Sequence, residues 1–375
     1  MNGYKKILLI SSEFPPGPGG IGNHAFNLAK YLNMNNSEVK VLTISDFAGE
    51  KEEQEFDAKQ NFEIERFKRF RSRIKTYVKR ITRILDEVKK KNYTHLIFSG
   101  RSPLMSSILL NKYQKKIKFV SIVHGGDIST SNQLEQFFIN KALGKADLII
   151  PVSNYSKSKI RIKPGSGKVE VIPNGFDVGC NSNYSIKEKF TDNGLLNLVS
   201  VGTVWPRKGH HNVLNALPEI ITDRPQTRYN IIGRLADLSK VQGYFDDIKF
   251  KDHLKIYGPV SDKEKFEILE ESQIFILLSE SQTSGDFEGF GIAVIEANYF
   301  GLPAIGSKHS GLEDSIKDGV SGILVDPKNK TEIREAINKI AKNYPAFSNA
   351  AKKWAEQHHW SIIIQRYIKV LEGIN

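Results

Sequence analysis

Short apolar runs alternate with stretches of helical periodicity along the whole chain, and this alternation constrains the fold more than any other feature. In the first half the runs fall at 7–10, 39–44, 95–98, 119–123 and 148–152; in the second they fall at 196–201, 229–232, 254–257, 274–278 and 303–305. Strands spaced this way, with helical patterns between them, build parallel sheets with crossover helices. At 375 residues the chain is too long for one ordinary core and short for three, so two such α/β domains are expected. The stretch 178–193 is polar, weakly patterned and Asn-rich, which marks a linker. The expected division is therefore an N-terminal domain at 1–178, a linker at 179–193, a second domain at 194–357 and a last helix at 358–375. That helix carries Trp360, Ile363, Ile364, Tyr367, Ile368 and Leu371, an apolar face at helical spacing that needs a partner surface. Two doubly wound domains facing a central cleft would bind ligands at the carboxyl ends of their strands.

Composition narrows the class. No run approaches the eighteen or so apolar residues of a membrane span, and the first residues enter a strand without a signal-peptide pattern, so a cytoplasmic location is expected. A single cysteine, Cys180, cannot form an internal disulfide or a multi-cysteine metal site, which suits a reducing compartment. Of the formal net charge of +12, +10 lies in residues 66–91, where twelve basic residues meet only Asp86 and Glu87. Phe67, Phe70, Ile74, Tyr77, Val78, Ile81, Ile84, Leu85 and Val88 recur there at mostly three- and four-residue steps, so the segment reads as a basic amphipathic helix. Two readings stand: a solvated helix docked on its own sheet, or a contact for anionic lipid headgroups that would make the protein peripheral on the inner face of the membrane. Nucleic acid is not the expected partner.

Three segments carry candidate chemistry. After the first strand comes Glu13-Phe14-Pro15-Pro16-Gly17-Pro18-Gly19-Gly20-Ile21-Gly22. Read as GxGxxG with Asp46 ending the next strand, it resembles a dinucleotide fingerprint, but six residues separate strand from first glycine and three prolines stiffen the loop. It reads equally as a tight turn or as bare amides offered to an anion or a hydroxyl-rich ligand. In the second half Gly202-Thr203-Val204-Trp205-Pro206-Arg207-Lys208-Gly209 leaves a strand and enters a helix, which puts Arg207 and Lys208 at the sheet's carboxyl edge. Two cations there suit a diphosphate, although an Arg-Lys pair by itself is commonly just solvated surface. Asp286-Phe287-Glu288-Gly289-Phe290-Gly291-Ile292 then opens a helix that contains Glu296, eight positions after Glu288. Glycines allow close backbone approach and the helix start presents free amides to phosphate. Pocket shape near Gly233 and from Gly258 to Val260 would govern selection of base and sugar.

Together the Glu288-x7-Glu296 spacing, Arg207-Lys208-Gly209, the Pro-Pro-x-x-Gly-Gly loop, His124-Gly125-Gly126 after a strand and Val171-Ile172-Pro173-Asn174-Gly175 resemble the large group 1 family of retaining GT-B glycosyltransferases, of the family 4 type. The resemblance implies an α/β GT-B fold of two Rossmann-like domains, with the last helix crossing back to the N-terminal one. It implies that Lys208 with Arg207 holds a donor diphosphate, Glu296 binds the ribose, and Glu288 with the amides of Gly289, Phe290 and Gly291 holds the transferred sugar. The same resemblance places Gly19 and Gly20 opposite the phosphates and acceptor, and His124 near the reacting carbon. The sequence departs from the family at Thr203, where many members carry Arg. Segment 285–289 resembles the mannosyltransferase branch, which favours GDP-mannose over a UDP-sugar.

The activity expected is transfer of a hexose from a nucleotide-diphosphate sugar to a glycan or lipid-linked acceptor in surface polysaccharide or glycolipid synthesis. A retaining transfer needs either a carboxylate nucleophile beneath the sugar or a same-face route in which the departing diphosphate takes the acceptor's proton, and the resemblance implies the second. No free Asp-x-Asp appears, and the pairs His210-His211 and His358-His359 are adjacent and diverge on a helix, so no metal and no cofactor beyond the donor substrate is expected. A nicotinamide oxidoreductase would leave Glu288 and Arg207 without a role; an epimerase or phosphorylase on a similar fold would keep the anion site; a non-catalytic lipid or nucleic-acid binder would explain only 66–91.

Overall fold

In the computed structural model the described residues are 5–17, 19–45, 48–110, 117–162, 167–178, 195–236 and 251–374. The expected linker at 179–193, which contains Cys180, lies outside them, as does Asp46. The chain divides into two compact units, Met1–Asp177 with Trp360–Asn375, and Val178–His359.

The first unit is built on β1 (Lys6–Ser11), α1 (Gly20–Met34), β2 (Glu38–Ser45), α2 (Glu50–Asp57), β3 (Glu63–Lys68), α3 (Arg73–Lys90), β4 (His95–Ser99), α4 (Arg101–Ser106), β5 (Lys118–Val123), α5 (Gln133–Leu143), β6 (Leu148–Pro151), α6 (Asn154–Ser158) and β7 (Lys168–Val169). Its strands run in the order β3-β2-β1-β4-β5-β6-β7, all pairs parallel. Leu8, Ile10, Phe98 and Phe119 pack on one side of the sheet and Val123, Ile149, Leu104 and Ile139 in a second cluster. Such near-continuous apolar strands are what a sheet covered on both faces requires.

The second unit comprises β8 (Leu196–Val201), α7 (His210–Asp223), β9 (Thr227–Ile232), β10 (Leu254–Gly258), α8 (Asp262–Glu271), β11 (Ile274–Leu277), α9 (Ile292–Tyr299), β12 (Ala304–Ser307), α10 (Leu312–Ser315), β13 (Gly322–Val325), α11 (Lys330–Lys342) and α12 (Tyr344–Glu356). Its parallel sheet has the order β10-β9-β8-β11-β12-β13. Each sheet thus reverses winding once, between β1 and β4 and between β8 and β11, and ligands of doubly wound sheets bind at that reversal.

The last helix, α13 (Trp360–Glu372), belongs to the first unit and packs on α1. Trp360, Ile363, Ile364, Tyr367 and Leu371 are buried. Gly175 makes room for it: a Cβ there would come within 2.8 Å of the Trp360 indole. The Trp360 amide donates to the Phe176 carbonyl at 3.1 Å.

The basic segment differs from the sequence expectation. Only its C-terminal part is helix, capped at Ser72, whose side chain accepts from the Lys75 amide. Its first residues form the edge strand β3, with Phe67 buried and Arg66 paired to Asp57 at 2.8 Å. The reason is charge pairing across the sheet. Lys40 of β2 holds Glu63 and Glu65 of β3 at 2.7 and 2.8 Å and Glu87 of α3 at 3.1 Å, while Arg83 and Lys91 return to Glu65 and Glu63. Strands β7 and β13 also went unread in the sequence, β7 because two residues carry no period.

Candidate functional site

In the second unit the reversal between β8 and β11 gathers three of the expected residues. After β8 a 3₁₀ turn, Pro206–Lys208, points Arg207 and Lys208 back over the sheet edge. Gly209 ends that turn at φ +67°, and a Cβ there would strike the Leu278 carbonyl, so glycine is what lets the turn press against the end of β11. The Lys208 side chain lies along Gly202, whose absent Cβ would be 3.3 Å from its Cε.

Glu288 comes from the loop after β11 and is fixed through its own backbone, its carbonyl accepting from the Gly311 amide at 2.9 Å. Its Oε2 takes both cations, Lys208 Nζ at 2.6 Å and Arg207 Nη1 at 2.7 Å. Arg207 Nε lies 3.0 Å from Asp286 Oδ2 as a second ion pair. Burial pushes the Glu288 carboxyl up, but the Lys208 and Arg207 charges outweigh it and hold the pKa at about 2. Burial pulls the Lys208 ammonium below its ordinary range, against Glu288. Burial also works against Arg207, but its two carboxylates raise it. The result is a buried, fully ionised cluster in which two cations share one carboxylate oxygen.

Glu296 stands apart from that cluster. It lies one turn into α9, whose cap Gly291 has φ +84°, and Ile292 is the first helical residue. Its Oε2 is 3.5 Å from Lys265 Nζ on α8, which also pairs with Asp262 at 3.0 Å. Phe290 and Gly289 are buried, Phe290 beside His358 at 5.9 Å between ring centroids. Gly202, Gly233 and Gly258, at the ends of three adjacent strands, are joined edge to edge: the Gly202 amide donates to Ile232 and the Gly233 amide to the Gly258 carbonyl, each at 2.9 Å. Val260 packs on the core cluster that includes Phe275 and Leu277.

In the first unit His124 follows β5. Its Nε2 is 2.9 Å from Ser99 Oγ at the end of β4, and its ring meets His24 edge-on at 4.7 Å. His24 in turn reaches the Tyr367 hydroxyl at 2.9 Å. Burial pushes His124 down to about 3 and His24 well below the ordinary range, so both imidazoles are neutral at pH 7. Asp127 holds this turn by accepting from the His124 and Gly125 amides at 2.8–3.1 Å. Gly19 caps α1, but the Glu13 carboxyl already occupies this end of the helix, bonded to the Gly22 amide. Burial raises Glu13 above the usual carboxylate range. Asp127, Glu13 and Lys265 were not read as site residues in the sequence. Only Asp127 had a signal, an acid three positions after a histidine at a strand end.

A family model described as "Glycosyl transferases group 1" matches residues 184–358, and one described as "Glycosyltransferase Family 4" matches residues 18–179. The chain is 23% identical over 380 residues to the GDP-mannose-dependent alpha-(1-6)-phosphatidylinositol monomannoside mannosyltransferase of Mycolicibacterium smegmatis, covering 98% of each. It is 28% identical over 224 residues to the amylovoran biosynthesis glycosyltransferase AmsK of Erwinia amylovora, covering 59% of this chain and 54% of that one, so it spans about half the length of such relatives. Among solved structures, Anabaena Alr3699/HepE in complex with UDP and glucose superposes with a TM-score of 0.76 at 19% identity, covering 99% of this chain and all of the other, 100%. Sucrose-phosphate synthase from Thermosynechococcus elongatus gives 0.76 at 16% identity, covering 99% of each. The two sheets and the returning helix are those of the GT-B fold, and with family models matched in both units the chain belongs to the group 1 glycosyltransferases.

Proposed function

We propose that this protein is a retaining hexosyltransferase that takes its sugar from a nucleotide diphosphate and passes it to a glycan or lipid-linked acceptor in polysaccharide or glycolipid synthesis. The observation that carries the reading is the ionised cluster of Arg207, Lys208 and Glu288 at the winding reversal of the second sheet. Two preorganised cations stabilise a diphosphate as it departs, because charge developing there meets fixed opposite charge in a water-poor site. Glu288 acts as their resident counterion; the diphosphate takes its place, and the freed carboxylate accepts from a hydroxyl of the sugar. The amides of Gly289, Phe290 and Gly291 hold the same sugar, and Glu296 takes the ribose. His124, neutral and therefore able to accept or donate one hydrogen bond, orients the ring. In the transfer the bond from the anomeric carbon to the phosphate oxygen breaks, the acceptor oxygen bonds on the same face, and its proton goes to the departing phosphate. With Arg207 and Lys208 supplying the charge, turnover needs no metal. GDP-mannose is the favoured donor, supported by the names of relatives matched over nearly their whole length. The test is a thermal-shift screen of GDP, UDP and their sugars followed by NMR of the product anomer. Stabilisation by GDP-mannose and retention of configuration are expected; inversion, or no stabilisation by any nucleotide, overturns the reading.

A second observation favours a peripheral position on a cytoplasmic membrane face. Ile74, Val78 and Leu85 of α3 are exposed and lie within about 40° of one another around the helix axis. Exposed Lys75, Lys89 and Lys90 lie along one side of them with Asp86 in their midst, and exposed Phe70 and Arg71 precede the helix. An apolar stripe with lysines along one side matches an anionic bilayer, each such lysine contributing about 1 kcal/mol near the surface. No helix among the described residues is long and apolar enough to cross a membrane.

A further inference from the structure

In the first unit a pocket of about 550 Å³ opens between the start of α5 and the segment that follows α6. Both walls descend from the carboxyl ends of β5 and β6, adjacent strands paired through Val123 and Pro151, which is the side of a parallel sheet that receives ligands. The lining is unusual in composition. Three serines, one threonine and three side-chain amides share it with Phe137, Lys159 and Arg161, and no carboxylate is among them. Glu135, on the same helix, is turned to Arg101 and to the Thr130 hydroxyl, at 3.3 and 3.0 Å.

One wall is held rigid. Gln136 donates to the Ile128 carbonyl and to Asn140 Oδ1, both at 3.0 Å, and accepts from the Thr130 amide at 3.1 Å. Phe137 lines the pocket and leaves 60% of its surface exposed, so an aromatic face is open there to a ligand. Lys159 and Arg161 are exposed, and neither makes an ion pair with a described carboxylate; Lys159 rests over the Tyr155 ring at 4.6 Å.

We propose that this pocket binds a saccharide that carries an anionic group. Hydroxyls and amides, each able to donate and accept, complement the alternating donors and acceptors of a polyol. An exposed aromatic face receives the apolar side of a sugar ring, and two cations that no described carboxylate pairs or competes for seat a phosphate or carboxylate. If the glycosyltransferase reading holds, the occupant is the acceptor, and the acceptor is acidic; binding itself does not depend on that reading.

The test titrates the full chain with glucose, glucose 1-phosphate, glucuronic acid and inorganic phosphate, read by saturation-transfer NMR and calorimetry. Glucose 1-phosphate or glucuronic acid is expected to bind at least about tenfold tighter than glucose, the difference expected of a charge-assisted contact. Whichever of the two binds tighter identifies the anion as phosphate or carboxylate. Lys159→Ser with Arg161→Ser should bring the anionic sugar down to the level of glucose, and Phe137→Ser should weaken every sugar but not inorganic phosphate. These side chains are exposed, so the melting temperature and nucleotide affinity should stay unchanged. Inorganic phosphate binding as tightly as glucose 1-phosphate, glucose binding as tightly as either acid, or indifference to all three substitutions overturns the proposal. Failure of wild-type protein to bind any nucleotide would instead strike the proposed function and leave this pocket standing.

Discussion

In the first unit the ends of β4 and β5 and helix α1 bring together imidazoles kept neutral by burial, beside a serine and a tyrosine hydroxyl. In the second unit the ends of β8 and β11 bring together a guanidinium, an ammonium and two carboxylates joined by ion pairs. The sheets share one winding, three strands outward from the centre and then a reversal, so the contrast does not come from the fold. It comes from loops of a few residues, which set whether the same position presents neutral rings and hydroxyls or paired charges.

The contrast breaks most severely if a cation is removed. Lys208→Ala leaves Glu288 with one partner in place of two, and truncating one member of a buried charge pair costs about 2–5 kcal/mol of binding energy. Donor affinity by calorimetry should fall by about thirtyfold or more on that scale. Unchanged affinity in both Lys208→Ala and Glu296→Ala would mean the donor site lies elsewhere.

Acid should separate the units next. His24, His95 and His124 of the first unit have folded pKa values lowered by burial, His95 to about 4 and His124 to about 3; in the second unit His210 is lowered to about 3 and His211 less. Unfolded histidine titrates near 6.5, so as pH falls below that the unfolded chain binds protons that the folded one refuses, and stability is lost down to the folded values. Each fully buried imidazole costs about 1.4 kcal/mol per pH unit in that window. Glu288 stays ionised to about 2, so the second unit's ion pairs persist. Asp127 of the first unit, raised by burial to about 7, and Glu13, also raised, take up protons in the folded state and offset part of this loss. In Asp127→Asn protein, hydrogen exchange compared at pH 7.5 and 5 should therefore find amide protection lost more in β1, β4 and β5 than in β8, β11 and β12. Equal loss would refute the neutral-imidazole account.

Glu288→Gln sharpens the comparison with a difference in sign. Without its charge the cations have no resident anion, so the nucleoside diphosphate alone should bind several-fold tighter, by about 1 kcal/mol or more for one charge-assisted contact, while transfer falls. Weaker diphosphate binding in this variant would count against Glu288 as a placeholder. Turnover should also survive EDTA; activity abolished by the chelator and restored by Mg²⁺ or Mn²⁺ would count against a cluster that supplies all the charge. The smallest effect expected is at α3. Co-sedimentation with anionic vesicles should fall with salt, since screening acts within roughly 10 Å at 0.1 M, and with Ile74→Ser and Lys75→Ser, while equal partitioning to neutral vesicles would return α3 to a solvated helix.

Strands of both central sheets were legible because buried parallel strands are short and continuously apolar, as 7–10 and 274–278 are. The edge strand β3 was not, because its residues Glu63, Glu65 and Arg66 answer Lys40 and Asp57 from other elements, and no local period records that. At the site, the residue types and loop glycines could be read, but that Glu288 takes Lys208 from 80 residues away could not. The same holds for Glu13, whose capping of α1 depends on a turn that folds the loop back upon itself.

The placement of α13 bears on how the molecule is made. During synthesis the first unit's strands emerge early, yet the surface of α1 that receives Trp360 and Tyr367 stays bare until α13, which follows the whole second unit, leaves the ribosome. The second unit, whose residues all lie before that helix, can complete its core first. The nascent protein thus matures from its later part to its earlier one, and chaperones would meet an open apolar groove on α1 for the whole time needed to translate the second unit.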